Sequence, residues 1–203
     1  MDRVTVRQTT AELPVFDEEV DLEPVSSLVT DDGSVSDFQF GDTRLRALDL
    51  ENIRLLHGKI RALRAERASI TGARIDSVEF TGCDLSSLRW AGGKVSRAGF
   101  DRCKLLGARF EHMTVEHLVF TGCKLDYATF DQIRAAGPVL FVGCSLREVE
   151  FTGCDLARSL FDDCDLRLTD FGQGNYRGCD LLGNDLSALN GIGHLKYVVI
   201  DRA

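Results

Sequence analysis

The stretch FTGCDL occupies residues 80–85 and returns unchanged at residues 151–156. Residues 120–125 read FTGCKL, and looser variants begin at residues 100, 141, 161 and 176. All of them place Cys three residues after an aromatic residue and Leu two residues after the Cys. Such internal repetition decides the architecture before any single element does.

Large apolar residues recur at every fifth position. The series begins at Phe40, falters after Phe130 and resumes one residue out of phase from Phe141 to Leu186. A period of five fits neither an α-helix nor a flat strand. A small residue stands two positions before most of these centres, and in extended backbone it faces the same way as the centre. Each five-residue unit therefore sends one large and one small side chain inward and then turns a corner, so that four units close a square coil.

Residues 20 apart should consequently stack in columns through the core. The predicted structural core columns are Phe80, Leu85, Phe100, Leu105, Phe120, Leu125, Phe141, Leu146, Phe161 and Leu166. The tract would make about 7–8 coils, or a rod about 36 Å long at roughly 4.8 Å per coil. The predicted fold class is all-β.

The five-residue units resemble those of the pentapeptide-repeat family. The family motif is a small residue, Asp or Asn, Leu or Phe, and two variable residues. Matching units include CDLSS (83–87), CDLAR (154–158) and NDLSA (184–188), and the resemblance covers about 43–130 and 139–188. The family fold is a right-handed quadrilateral β-helix, and the resemblance implies the same pentapeptide-repeat solenoid here.

Three segments are predicted along the chain. Residues 1–37 carry ten acidic and two basic side chains and are interpreted as an acidic N-terminal extension or cap. Residues 38–190 form the solenoid, with a one-residue phase slip near 131–141, where Pro138 removes a backbone donor. Residues 191–203 lose the five-residue pattern and are interpreted as a C-terminal cap, because solenoids need capped ends.

Neither a membrane span nor a signal peptide is recognisable in the sequence. No apolar run approaches about 20 residues, and the first residues lack a basic segment followed by an apolar one. A cytoplasmic location is therefore expected.

Seven Cys and four His raise the question of metal or redox chemistry. Zinc sites need closely paired ligands such as C-x2-C, and no such pair occurs. The interpretation preferred here is that Cys fills a small buried slot interchangeably with Ala and Ser, with a metal or redox role as the alternative. No Ser/His/Asp set converges and no glycine-rich phosphate loop opens a helix. We therefore expect no enzyme, no metal site and no cofactor.

The outer surface remains as a candidate for function. Residues 38–136 hold 16 basic and 12 acidic side chains, whereas residues 137–203 hold 6 and 10. The candidate acidic partner-binding surface of the last coils comprises Glu150, Asp155, Asp162, Asp163, Asp165, Asp170, Asp180 and Asp185. It is either a solvated face that discourages end-to-end aggregation or a charged docking surface.

The function expected from these features is a non-catalytic protein-interaction scaffold with an unassigned protein partner. The resemblance adds an alternative, because some pentapeptide-repeat proteins resemble B-DNA in girth and charge. Those proteins bind DNA gyrase or topoisomerase IV in place of DNA, and inhibit the enzyme or protect it from quinolone-like poisons. Stacked carboxylates suit a basic saddle built for phosphates, but the basic middle coils count against a full-length DNA mimic.

We expect no direct binding to nucleic acid and no binding to membranes. The oligomeric state is left open between a monomer and a C-terminally mediated homodimer.

Overall fold

Parallel strands about 20 residues apart in the chain pair through the solenoid in the computed structural model, which describes residues 2–16 and 22–201. Phe80 pairs with Phe100, and Phe100 pairs with Phe120. This 20-residue register closes a β-solenoid of about seven turns. The predicted all-β quadrilateral β-helix is thereby confirmed.

The strands are short, apart from five of eight residues each. In chain order they are β1 (Asp2–Val6), β2 (Thr9–Leu13), β3 (Glu23–Pro24), β4 (Ser34–Gly41), β5 (Arg44–Leu45), β6 (Leu48–Glu51), β7 (Arg54–Arg61), β8 (Arg64–Ala65), β9 (Ala68–Thr71), β10 (Arg74–Thr81), β11 (Arg89–Ala91), β12 (Lys94–Asp101), β13 (Arg109–Glu111), β14 (Thr114–Thr121), β15 (Thr129–Asp131), β16 (Arg134–Ala135), β17 (Val139–Val142), β18 (Glu150–Thr152), β19 (Cys154–Asp155), β20 (Leu160–Asp162), β21 (Asp170–Phe171) and β22 (Gly174–Asn175). A 3-10 turn at Ile192–His194 is the only helical segment in the part of the chain that the structure describes. No helix there is long and apolar enough to cross a membrane.

The corners of the coil are made by residues in the left-handed backbone conformation. Arg97 in β12 has φ of 49° and His117 in β14 has φ of 51°, so each eight-residue strand bends at its middle and covers two sides of the square. Non-glycine residues adopt this conformation rarely. The neighbouring corner alternates Arg102 (φ 49°) with Gly122 (φ 59°), which shows that the backbone geometry recurs whichever residue occupies it.

Each coil has four faces, and each face presents one outward column of residues in register. Face 1 carries Ser34, Arg54, Arg74, Lys94, Thr114, Arg134, Asp155 and Asn175. Face 2 carries Gln39, Lys59, Glu79, Gly99, Val119, Leu140, Leu160 and Asp180. Face 3 carries Arg44, Arg64, Asp84, Lys104, Lys124, Ser145 and Asp165, with Asp185 one repeat later. Face 4 carries Asp49, Ser69, Arg89, Arg109, Thr129, Glu150, Asp170 and Asn190.

The inward positions form continuous stacks. All ten residues named for the core columns are at most 2% exposed. The rings of Phe100 and Phe120 stack with centroids 5.1 Å apart, and those of Phe120 and Phe141 with centroids 5.0 Å apart. Phe130 meets Phe141 edge-on at 5.9 Å, which joins one column to the next. Such aromatic pairs stabilise beyond the area that they bury.

The register changes once inside the solenoid. Val115 pairs with Ala135, an offset of 20, whereas Leu118 pairs with Val139, an offset of 21. The extra residue therefore lies between β16 and β17, in the segment that contains Pro138. The offset returns to 20 where Phe141 pairs with Phe161.

The first residues of the chain lie along the side of the solenoid. β1 and β2 form an antiparallel hairpin that packs on face 2. Ala11 is fully buried there against the outward side chains of Val119, Leu140 and Leu160, each at most 2% exposed. An interpretation of residues 1–37 as an end cap is thus incomplete, because the hairpin covers a flank. The boundaries at 37 and 190 stay predictions.

Polar contacts hold the hairpin at both ends of this flank. The Arg7 guanidinium contacts Asp162 at 2.5 Å and Asp180 at 2.9 Å. The backbone N–H of Glu12 donates to Nδ1 of His117 at 3.2 Å. Further along, the ring of Phe16 stacks on His57 with centroids 4.9 Å apart. The segment therefore runs antiparallel to the growth of the coils, from the last acidic coils back to β7.

Candidate functional site

The solenoid interior offers little room for a ligand. Its apolar cavity, beside Trp90, Phe110 and Phe130, has a volume of about 20 Å³, which holds about one water molecule. Stacked side chains fill the remaining space. A binding site has to be sought on the outer faces.

The seven cysteines lie in the core, and all are free thiols. Cys83 and Cys103 each direct Sγ at a backbone carbonyl, of Ile60 and of Phe80, at 3.4 Å. Burial raises the pKa of Cys154 to about 11 and that of Cys179 to about 12. A raised thiol pKa makes the reactive thiolate scarce. Within residues 2–16 and 22–201, no three His, Cys, Asp or Glu side chains come together as a candidate metal site.

The eight carboxylates predicted to form one acidic surface are distributed over all four faces. Asp155 belongs to face 1, Asp180 to face 2, Asp165 to face 3, and Glu150 and Asp170 to face 4. Asp185 follows on face 3, while Asp162 and Asp163 occupy the corner between faces 2 and 3. The structure therefore does not gather the eight side chains into one surface. It brings together Glu150 with Asp170, Asp162 with Asp180, and Asp165 with Asp185.

Several of these carboxylates already have cationic partners within the chain. Arg7 forms ion pairs with both Asp162 and Asp180 and shares its single positive charge between them. Arg167 forms a bidentate contact with Asp165, which lowers the pKa of that carboxyl group. A partner protein would have to displace these arginines before it could use the three carboxylates.

Five of the eight carboxylates form no ion pair with any residue that the structure describes, namely Asp155, Asp163, Asp185, Glu150 and Asp170. Of these five, Glu150 and Asp170 pair in register on neighbouring coils of face 4. A shallow groove surrounds them, and we call it the acidic groove. It is lined by Tyr127, Thr129, Glu148, Glu150, Leu168, Asp170 and Asn190.

Two apolar side chains stand exposed beside these carboxylates. Tyr127 is 62% exposed and Leu168 is 52% exposed, although both are large hydrophobic residues. Both occupy a tight-turn position with positive φ, and Gly107 occupies the same position in the coil before Tyr127. The turn itself does not require a large side chain, since glycine and serine make it in neighbouring coils. Aromatic side chains flanked by charge are typical of protein-binding surfaces.

Sequence reasoning found Glu150 and Asp170 but missed Tyr127, Glu148 and Leu168. Their turn position recurs every 20 residues, with one step of 21 across the slip, as Ser87, Gly107, Tyr127, Glu148 and Leu168. Reading that column would have exposed the change from small to large residues. The same reading of face 2 would have shown that its outward column becomes Gly99, Val119, Leu140 and Leu160.

A buried carboxylate that the sequence did not single out lies at the turn beside face 3. The Asp126 side chain is 7% exposed and accepts hydrogen bonds from the Arg147 guanidinium at 2.9 Å and from the Ser145 hydroxyl. Burial by itself would raise the pKa of Asp126. The hydrogen bonds from Arg147 and Ser145 outweigh burial, so that the pKa lies below its usual range.

Replacing Asp126 with asparagine is expected to lower the free energy of unfolding by about 2 kcal/mol near neutral pH. The folded-state pKa is below the unfolded value of about 3.9, so the stabilisation is complete above that value. It is lost as the pH falls through the folded-state pKa. Urea unfolding between about pH 3 and 7 should therefore show the two proteins converging at acid pH. Asp163→Asn, at an exposed corner, should stay within about 0.5 kcal/mol, and a constant Asp126→Asn deficit at all pH values would contradict the assignment.

Comparison with known proteins identifies the repeat. A family model described as a pentapeptide repeat region matches residues 93–171. No curated protein matches the chain. Among solved structures, trypsin-treated QnrB1, a plasmid-mediated fluoroquinolone resistance protein, is similar at 16% identity and a TM-score of 0.45 over 81% of this chain and 92% of that chain.

A second solved structure is similar to the same extent. HetL, a pentapeptide repeat protein involved in heterocyst differentiation regulation from the cyanobacterium Nostoc sp. strain PCC 7120, is 14% identical. The match covers 82% of this chain and 86% of that chain, at a TM-score of 0.44. Likenesses at this level say nothing about what the present chain binds.

Proposed function

We propose that this chain, whose residues 93–171 match the pentapeptide-repeat family model, is a non-catalytic scaffold that binds a basic protein surface through the acidic groove. The observation that carries the proposal is the pair Glu150 and Asp170. Both lack an ion pair among the described residues, as do Asp155, Asp163 and Asp185, but of these five only Glu150 and Asp170 pair in register on neighbouring strands, beside the exposed Tyr127 and Leu168.

The composition of the acidic groove supports protein binding. Charge complementarity steers an approaching partner and sets its register. The exposed ring of Tyr127 and the side chain of Leu168 supply apolar anchors that a partner can bury. The packed interior and the shallow grooves of the outer faces both support a role without catalysis.

A modulator of a type II topoisomerase, such as DNA gyrase, is the second candidate function. It is favoured by the position of acidic residues around the whole circumference of the last coils, on faces 1, 2, 3 and 4 at Asp155, Asp180, Asp185 and Asp170. Phosphates likewise surround a DNA duplex on all sides. The ion pairs of Arg7 with Asp162 and Asp180 reduce the negative charge there and weaken this resemblance.

Two charge-reversed proteins separate these functions. Glu150→Lys/Asp170→Lys alters the acidic groove, and Asp155→Lys/Asp185→Lys makes the same change in net charge on faces 1 and 3. In affinity capture with each purified protein, a partner of the groove should be retained by wild type and by the second variant, lost from the first, and released by salt. Equal capture by all three proteins would contradict the groove as the binding site.

Gyrase supercoiling assays, with and without a quinolone, supply the second arm. A DNA mimic whose charge encircles the rod should inhibit or protect the enzyme, and both double variants should weaken that effect. Loss with the groove variant alone would instead identify gyrase as a partner of the acidic groove. No effect of the wild-type protein would exclude the topoisomerase candidate and leave the scaffold function standing on the capture result.

A further inference from the structure

The outward column of face 4 has a sign inversion centred on Thr129. Arg109 lies one coil before Thr129 and Glu150 one coil after it. Arg89 lies two coils before it, and Asp170 lies two coils after it. The column thus reads basic, basic, neutral, acidic, acidic at equal steps along the rod.

These four charges have no counterion among residues 2–16 and 22–201. None of Arg89, Arg109, Glu150 and Asp170 forms an ion pair with a residue in the described ranges. Moreover, the strand register sets Arg89 beside Arg109 and Glu150 beside Asp170. Like charges directly opposite each other on paired strands are destabilising.

Some charged side chains on other faces find partners, although the stacked Arg54 and Arg74 of face 1 form no ion pair with a described residue. On face 3, Lys104 contacts Asp84 at 3.4 Å, and on face 1, Lys94 contacts Glu116 at 3.2 Å. Arg97 contacts Asp76 in the coil before it. Face 3 has the same order of charges around Ser145, but its Lys104 contacts Asp84 and its Asp165 contacts Arg167. Among the described residues, only face 4 follows an uncompensated basic pair with an uncompensated acidic pair.

We propose that face 4 binds a second copy of this chain, with the two rods antiparallel and a two-fold axis passing beside Thr129. The inference rests on the proposed function, because it assigns the partner of the acidic groove. A two-fold axis in the interface and perpendicular to the rods reverses the order of the coils. It sets Arg109 opposite Glu150 of the partner subunit, and Arg89 opposite Asp170 of the partner subunit.

The same axis explains why the rods are antiparallel. In a parallel face-to-face pair, arginines would oppose arginines and carboxylates would oppose carboxylates, which disfavours that arrangement. The antiparallel pair instead forms each of the two complementary contacts twice, once on either side of the axis. Each rod contributes the basic surface that the acidic groove of the other requires.

Tyr127 lies at the centre of this arrangement. It flanks Thr129 and therefore falls beside the axis, opposite Tyr127 of the partner subunit. Its ring is 62% exposed in the isolated chain. Tyrosine at the centre of an interface provides a large apolar contact, and truncating such a residue often removes much of the binding energy.

Sedimentation equilibrium of the full-length protein tests the proposal. At an ionic strength of about 0.05 M the wild type should approach twice the 22.4 kDa chain mass, and it should dissociate at about 0.5 M, where surface charges are screened. Arg89→Glu/Arg109→Glu makes the column wholly acidic, and Glu150→Arg/Asp170→Arg makes it wholly basic. Each variant alone should self-associate at least about 30-fold more weakly.

Mixing the two variants provides the decisive control. An equimolar mixture restores every complementary contact and should form the dimer that neither protein forms alone. Arg54→Glu/Arg74→Glu, with the same change of net charge on face 1, should dimerise like the wild type. The circular dichroism spectrum of each variant should match that of the wild type, as expected if the solenoid is retained.

Three results would overturn self-association. They are a monomeric wild type at high protein concentration and low salt, dimers in both single-sign variants, or a mixture of the two that stays monomeric. If the wild type is monomeric while Glu150→Lys/Asp170→Lys still loses a captured protein, the second copy is excluded and the scaffold function stands. If neither self-association nor capture depends on the acidic groove, both proposals fail.

Discussion

Phe120→Asp is expected to unfold the solenoid, with a loss of at least about 4 kcal/mol in the free energy of unfolding. Phe120 is fully buried and stacks between the rings of Phe100 and Phe141, with edge contacts to Phe110 and Phe130. The substitution removes these contacts and places a carboxyl group where no water or cation reaches it. Because each coil stacks only on its neighbours, a defect in the middle separates the two halves of the core.

Urea unfolding followed by circular dichroism measures this effect. Lys124→Asp is the matched control, since it introduces the same side chain four residues later at an exposed position of face 3. Surface substitutions of that kind usually change stability by less than about 0.5 kcal/mol. An unfolding midpoint equal to that of the wild type for Phe120→Asp would contradict the assignment of the inward column.

Leu140→Asp should have a large effect of a different kind, because this side chain points out of the solenoid and under the hairpin. Leu140 is fully buried against Ala11, although it occupies an outward position of face 2. An aspartate there regains water only if the hairpin leaves, so we expect the hairpin to undock while the coils stay folded. The penalty for a buried carboxylate, of several kcal/mol, exceeds what one small apolar cluster contributes.

Hydrogen exchange locates the change. Amides of residues 2–13 should lose protection in Leu140→Asp, whereas those of β12 and β14 should keep theirs, because local opening and global unfolding have separate free energies. Lys124→Asp again serves as the control, with full protection of the hairpin. Unchanged exchange of residues 2–13 in Leu140→Asp would show that Leu140 does not hold the hairpin.

The two substitutions differ in whether the burial of the replaced residue can be predicted from the sequence repeat. Phe120 belongs to a column whose period of 20 is visible in the sequence, and its burial follows from the geometry of a square coil. Leu140 occupies a position that the same geometry assigns to solvent. Its burial depends on a hairpin more than 120 residues earlier in the chain, and no periodicity in the repeats indicates where that hairpin docks.

The candidate site shows the same division. The acidity of the last coils is evident from composition, and the columns follow from the repeat. Which carboxylates remain available is not evident, since Arg7 reaches Asp162 and Asp180 across 155 and 173 residues. Asp165, by contrast, is neutralised locally by Arg167. Once both contacts are known, Glu150 and Asp170 remain as the unpaired carboxylates that lie in register on neighbouring coils.

The sequence alone determined the all-β class, the square coil, the inward columns and the slip near Pro138. These features follow from contacts between residues at a constant spacing, which a regular repeat makes visible. The tertiary structure alone decided that the hairpin covers face 2, that Arg7 forms ion pairs with two carboxylates and that Tyr127 stands exposed beside Glu150. Such contacts join segments with no fixed spacing, or depend on what a neighbouring segment leaves uncovered, so their energies depend on where the chain ends up in space.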